Sequence, residues 1–431
     1  MLIHIVAEGE TVFSIAQQYG VSETLLRRQN QVPENGQLVV GQTLVILFPA
    51  AVHTVSEGDT LSSIAAQYGI SRRELYRNNY FLLGQDTIVP GEELVIALSG
   101  EKAYTFGVNG YAYPFISPLL LQQELPYLSY LTPFTYGITA QGNLVPLSDE
   151  ALLADAARYE VQPWMHLSTL TEEGNFSSQR AADILTDPAR QELLIAEVIA
   201  NMQNKGYGAL DVDFEFLGAA LAQSYADFIA RLRAQLNPLG YPVIVALAPK
   251  TYAQQPGVLY EGHDYAALGE AADAVLLMTY EWGYTYGPPM AVSPIGPVSG
   301  VLDYAVTRIP SLKLLLGEPN YAYNWTLPYV QGESRAESLS NVEAVELAAE
   351  KRAAIEYDEV AQSPYFNYYD RTDAGPVQHE VWFEDARSAD ASLRLIDSYD
   401  LAGTGMWNIM RKNPQLYPVL NSLYQIKKVL G

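Results

Sequence analysis

Not one cysteine occurs in the 431 residues, which excludes disulfides, a thiol nucleophile and thiolate metal sites. Histidine is nearly as scarce. His4, His53, His166, His263 and His379 stand singly, without the helical pairing of a metalloprotease motif, and read as surface or satisfied core residues. No run approaches the ~20 apolar residues of a membrane-spanning helix. Met1 to Gly9 carries neither a basic stretch nor a long apolar one, so no Sec signal is expected and the chain reads as soluble. Basic residues are outnumbered: 25 Lys and Arg against 49 Asp and Glu leave a formal charge of −24. A field of that sign repels polyphosphate and anionic lipid, so neither nucleic acid nor membrane is an expected partner. Any hold on an anionic wall must come from local contacts. Nothing in the residue pattern calls for a metal or a cofactor.

What is present first is a repeat. Residues 5–20 read IVAEGETVFSIAQQYG and residues 54–69 read TVSEGDTLSSIAAQYG, matched at a constant offset of 49. Asn30 and Asn79 keep that offset; Gly41 and Leu44 match Gly91 and Leu94 after one inserted residue. In each unit a threonine, Thr11 or Thr60, is placed to cap a helix. Apolar residues at helical spacing follow, and Gly20 or Gly69 is suited to a left-handed stop. A second short helix and a closing strand complete a βααβ unit. The run resembles the lysin motif (LysM), over residues 2–48 and 52–97. That resemblance implies binding of N-acetylglucosamine-containing chains between two loops. The implicated residues are Gly9, Thr11 and Val12 with Val40, and Gly58, Asp59, Thr60 and Leu61 with Pro90.

From about residue 100 the rhythm changes. Strand-like runs at 104–108, 130–136, 161–167, 209–216, 243–248, 274–280, 312–317 and 403–409 alternate with helical patterns such as 190–204, 221–236, 341–353 and 387–399. Eight such strands predict an α/β fold, a (β/α)8 TIM barrel over 100–431. The aromatic, acidic interval 355–384 reads as a small hairpin insertion.

Within the fourth run, Asp211, Asp213 and Glu215 fall at i, i+2 and i+4 and share one face of the strand. Val212, Phe214 and Phe216 then pack the other way. Barrel strands are buried on both faces, so three inward carboxyls repel one another and lose hydration, which raises at least one pKa. Such a cost belongs at a functional site. Glu215, furthest toward the C-terminal end, is the best-placed proton donor.

The segment resembles the D-x-x-D-x-D-x-E signature of glycoside hydrolase family 18, with Gly208 where the first acid stands. Met278-Thr-Tyr280-Glu281 and Gly405-Met-Trp407-Asn resemble two further elements of that family. The resemblance implies a retaining, substrate-assisted mechanism, outside the usual two-carboxylate scheme. Glu215 is then the acid, Asp213 and Tyr280 orient the substrate's acetamido group, Asp211 influences Asp213, and Trp407 floors the sugar. Met278, Glu281, Trp282, Asn109 and Tyr136 are expected as further substrate contacts. Stretches such as Val108-Asn-Gly-Tyr-Ala and Pro319-Asn-Tyr look like the spore-associated branch of the family. That likeness implies an N-acetylglucosaminidase trimming cortex peptidoglycan during germination, located in the spore coat or cortex with coat proteins as neighbours. A chitinase or other endo-N-acetylglucosaminidase, and a non-catalytic wall-binding coat protein, are the alternatives.

Overall fold

Runs such as Val243-Ile-Val-Ala-Leu and Ala274-Val-Leu-Leu have no polar face, and only a sheet covered on both sides buries them. In the computed structural model, which describes residues 1–33, 36–82, 84, 87–373 and 375–430, they are two staves of a closed barrel. Its strands are β1 (Tyr104–Ala112), β2 (Tyr130–Pro133), β3 (Gln162–Ser168), β4 (Ala209–Asp213), β5 (Val243–Leu247), β6 (Ala274–Leu277), β7 (Leu314–Pro319) and β8 (Gly403–Trp407). Each pairs in parallel with the next, and β8 closes onto β1 through Gly403↔Gly107 to Met406↔Gly110. The helices outside start where the sequence gives caps. Asp187 accepts from the amides of Ala189 and Arg190 ahead of helix Pro188–Lys205, which ends at Gly206 with φ 76. None of the described helices is long and apolar enough to cross a membrane.

The interval 355–384 does hold a hairpin, Ser363–Thr372 against Gly375–Trp382. It is, however, only part of the insertion. Between β7 and β8, strands 337–339, 322–326, 375–382, 363–372 and 356–358 form, in that order, a five-stranded antiparallel sheet, packed by helix Asn341–Lys351. The outer strands are three to five residues long, too short to leave a period-two signal.

The repeat folds as two βααβ units, Leu2–Ile46 and Pro49–Leu98, each with its two strands paired antiparallel. Equivalent residues do equivalent work. Thr11 and Thr60 cap their helices through the amides of Ser14 and Ser63, and Gly20 and Gly69 stop them at φ 65 and 68. Asn30 and Asn79 each tie the second helix to the closing strand, bonding Val45 and Val95. The second unit is locked to the barrel by Arg73 and Arg77. Both are buried, and they donate to the carbonyls of Pro126 and Leu128 beneath β2.

Candidate active site

Asp211 and Asp213 are the third and last residues of β4, buried to 0% and 6% exposure. The strand stops there, three residues earlier than its alternation suggests. Phe214 still packs outward on Tyr225 and Phe228, but Phe216 takes φ 56 and is 49% exposed. The expected packing of Phe216 is thus corrected: the chain turns left-handed at that point, and Glu215 stands half-buried on the loop above the barrel mouth. The loop is pinned from behind. His263, buried and held neutral with its pKa down to about 4, contacts the carbonyl of Phe214 at 3.0 Å through Nε2 and the amide of Ala248 at 2.9 Å through Nδ1.

The partners of the three acids are almost all neutral. The Tyr111 hydroxyl, on β1 across the barrel, donates to Asp211 Oδ2 at 2.7 Å. His166 on β3 lies with Nε2 3.9 Å from Asp211 and 3.8 Å from Asp213, beyond hydrogen-bond reach. Its Nδ1 is 2.6 Å from Thr135 Oγ1, which in turn donates to Ser168 Oγ. Burial drives this imidazole neutral, down to about 3. Asp211 Oδ1 and Asp213 Oδ1 are buried without a protein partner. Each carboxyl is pushed toward its protonated form. Burial lifts Asp211 to about 7 against the pull of Tyr111. Asp213 rises through burial and the charges of Glu215 and Asp211. Glu215 rises to about 7 through burial and then the charge of Glu281.

Tyr280, just past β6, has its hydroxyl raised well above the usual range by burial and by Asp213, Glu215, Glu281 and Asp211. Glu281 follows at φ 67, its carboxylate held by the hydroxyls of Tyr321 (2.6 Å) and Tyr323 (3.0 Å) from the insertion. On one side of Glu215 a cavity of about 520 Å³ opens, walled by Tyr252, Tyr260, Met278 and Trp282. That size suits a small ligand. Trp407, at the end of β8, packs edgewise on Tyr111 and Phe134, with ring centroids 5.7 and 4.7 Å apart.

Two expected substrate contacts lie elsewhere. Tyr136 is buried outside the barrel lumen, donating to Asp149 at 2.5 Å in a cluster with Lys205 and Tyr207. Its run leaves the strand at Pro133 and pairs again with β3 only through a bridge from Tyr136 to Leu167, so the alternation that aimed it inward is broken before it. Asn109 does face the lumen, but one layer below Tyr111, 1% exposed and bonded to Thr132. The reading of single histidines as core residues describes the burial of His166 but misses its place against the acids. Tyr111 shares the face of Asn109, and His166 shares the face of Trp164 and Ser168; that parity was the available signal.

The loops implicated in glycan binding come together in both units. The amide of Gly41 donates to Val6 and that of Gly91 to Val55, each at 2.8 Å, joining the second loop to the strand before the first. Glu10 and Asp59 close the first loops, each accepting from a backbone amide and contacting the histidine six residues earlier, His4 or His53, at 2.9 Å. Val40 and Val89 are exposed, at 42% and 58%.

A half-buried carboxyl at the C-terminal mouth of a (β/α)8 barrel, with two buried carboxyls beneath it, is an arrangement that glycoside hydrolysis can use. The model of glycosyl hydrolases family 18 matches residues 171–411, and the LysM domain model matches 4–47 and 53–97. The chain belongs to glycosyl hydrolase family 18 and carries two LysM domains. It is similar along its length to the cortical fragment-lytic enzyme of Bacillus subtilis, 39% identical over 436 residues and covering 99% of both chains. The cortical fragment-lytic enzyme of Bacillus anthracis is 35% identical, with 98% of each covered. The crystal structure of the spore cortex-lytic enzyme SleL of Bacillus megaterium QM B1551 superposes with a TM-score of 0.82 at 36% identity, covering 99% of both chains.

Proposed function

We propose that this protein is a peptidoglycan hydrolase of bacterial spores, an N-acetylglucosaminidase acting on cortex fragments during germination from the coat or cortex. Residues 2–48 and 52–97 serve to hold glycan, and 100–431 to cut it. The full-length likeness to cortical fragment-lytic enzymes supports the substrate. One observation carries the mechanism: the carboxyls behind Glu215 lie along the same strand, below it, and are themselves driven toward protonation. A two-carboxylate scheme needs an ionised partner across the sugar ring, about 5–9.5 Å from the acid. Here the acetamido group of the substrate supplies the nucleophile. Glu215 protonates the glycosidic oxygen while the acetamido carbonyl attacks the anomeric carbon from the opposite face. Asp213 orients the acetamido N–H and stabilises the positive charge it gains, Asp211 tunes the proton on Asp213, and the Tyr280 hydroxyl holds the acetamido oxygen. Trp407 stacks beneath the ring. Glu215 then takes a proton from the water that attacks the anomeric carbon and breaks its bond to the acetamido oxygen, and configuration at that carbon is retained.

Mass spectrometry of the products from cortex fragments and from chitin oligomers tests this. Expected are reducing ends at N-acetylglucosamine from cortex fragments and no cleavage after chemical de-N-acetylation. Cleavage of the deacetylated glycan at an undiminished rate rejects the mechanism. Products from chitin alone reassign the substrate.

A further inference from the structure

The two LysM units match in sequence and internal geometry, but their surroundings differ. In the first unit the loop 39–41 lies against the sheet inserted in the barrel. The amide of Ile355 donates to the carbonyl of Val40 at 2.8 Å, and the Arg387 guanidinium reaches the carbonyl of Gly41 at 3.4 Å. A Cβ placed on Gly41 would meet the Ile355 carbonyl oxygen at 1.8 Å. Next along the chain, the Gln415 side chain bonds both the hydroxyl and the carbonyl of Thr43. In the second unit the equivalent Gly91 has nothing within 4 Å of its Cβ position, and Val89 before it is 58% exposed where its counterpart Val39 is 7% exposed. The second unit meets the barrel through its other side, by Arg73 and Arg77 of helix Arg72–Asn78.

From this asymmetry we infer that the open loop pair of the second unit, Gly58–Leu61 with Val89–Gly91, grips the glycan. The same face of the first unit is committed as a brace for the inserted sheet. A ligand on the first unit would have to displace the Ile355 and Arg387 contacts, losing two hydrogen bonds before making any. The charge around the second notch narrows the ligand. Glu57 and Asp59 lie on its first loop, while Glu92 beside the second is paired with Arg28, so on a chain of net charge −24 a neutral N-acetylated sugar chain fits and a polyanion does not. The inference rests on the glycan-holding role proposed above and assigns it to one face.

Hydrogen exchange of the full chain, with and without the N-acetylglucosamine hexamer, reads both faces without any substitution. Slowed exchange at 58–61 and 89–91 with 9–12 and 39–41 unchanged is the expected result. Slowing at 9–12 and 39–41, alone or to the same degree, overturns the assignment. Sedimentation with insoluble wall gives a second reading. Val89→Asp and Val40→Asp each alter an exposed side chain, and their melting temperatures show whether both are folded. Val89→Asp is expected to weaken binding about tenfold and Val40→Asp less than about twofold; the reverse order refutes the inference. If the parent chain neither sediments nor shows slowed exchange at any of the four loops, the glycan-holding role itself fails, and the assignment with it.

Discussion

Replacing Asp211 by Asn should make the protein more stable at pH 8 and leave its stability nearly unchanged at pH 4. Asp211 is 0% exposed, and its carboxyl is lifted from 3.8 to about 7, chiefly by burial. Below 3.8 the group is neutral in the folded and unfolded chain alike and costs nothing. As pH rises toward 7 the unfolded chain loses this proton while the folded chain keeps it, so stability falls with pH over that window. Above 7 the folded state carries the full cost, about 4 kcal/mol at about 1.4 kcal/mol per pH unit. The amide is neutral throughout, and its oxygen still accepts from Tyr111, 2.7 Å away in the parent. At about 2 °C per kcal/mol for a domain of this size, the melting temperature should rise by about 8 °C at pH 8. Thermal unfolding of parent and variant at both pH values measures it, and activity should fall as stability rises. A variant destabilised equally at both pH values would refute the claim that a desolvated carboxyl is strained there.

Glu215→Gln keeps the shape of the side chain but has no proton to give; kcat on soluble fragments should drop about 10²–10⁴-fold in a reducing-end assay, with wall sedimentation unchanged. Activity of the parent should fall as pH rises through about 7, where Glu215 loses its proton. Because the charge of Glu281 helps raise that value, Glu281→Gln should move the alkaline limb of the kcat/KM profile to lower pH; a move upward contradicts the assigned coupling. Gly41→Ala and Gly91→Ala both place a Cβ at positive φ, +85 and +89, costing about 1–2 kcal/mol. Only the first also strikes the Ile355 carbonyl, so it should lower the melting temperature measurably more.

Asp211 and Asp213 were legible because strand parity is local: two carboxyls two residues apart on one strand share a face, and Glu215 continues their spacing onto the loop above. Where the strand ends was not, since that depends on Phe216 turning to φ 56 above the barrel rim. Tyr136 was misread because its run is interrupted after Pro133, and where pairing resumes, in a single bridge to Leu167, the earlier alternation no longer holds. Tyr111 and His166 belong to the site through contacts across the barrel, 100 residues away for the Tyr111–Asp211 bond. No window along the sequence holds such a pair. The repeats were legible because one offset relates two copies. Their inequality was not, because it is imposed on Gly41 by Arg387, 346 residues further on, and by Ile355.

Position 208 shows how the site holds its protons. The family signature has an acid there; this chain has glycine, and a Cβ would meet the Gln162 side chain at 2.3 Å. Asp211 takes its support instead from the neutral phenol of Tyr111. Among the described ion pairs, the only basic partner of Asp211 and Asp213 is His166, which burial keeps uncharged. A lysine or arginine in that place would hold the carboxyls ionised and pull their pKa values below the usual range. With neutral donors they rise instead, and Glu215 above them stays protonated to about 7. Thus burial, reinforced at Glu215 by the charge of Glu281, keeps an acid available at neutral pH, and the same burial imposes on Asp211 the cost that Asp211→Asn should relieve.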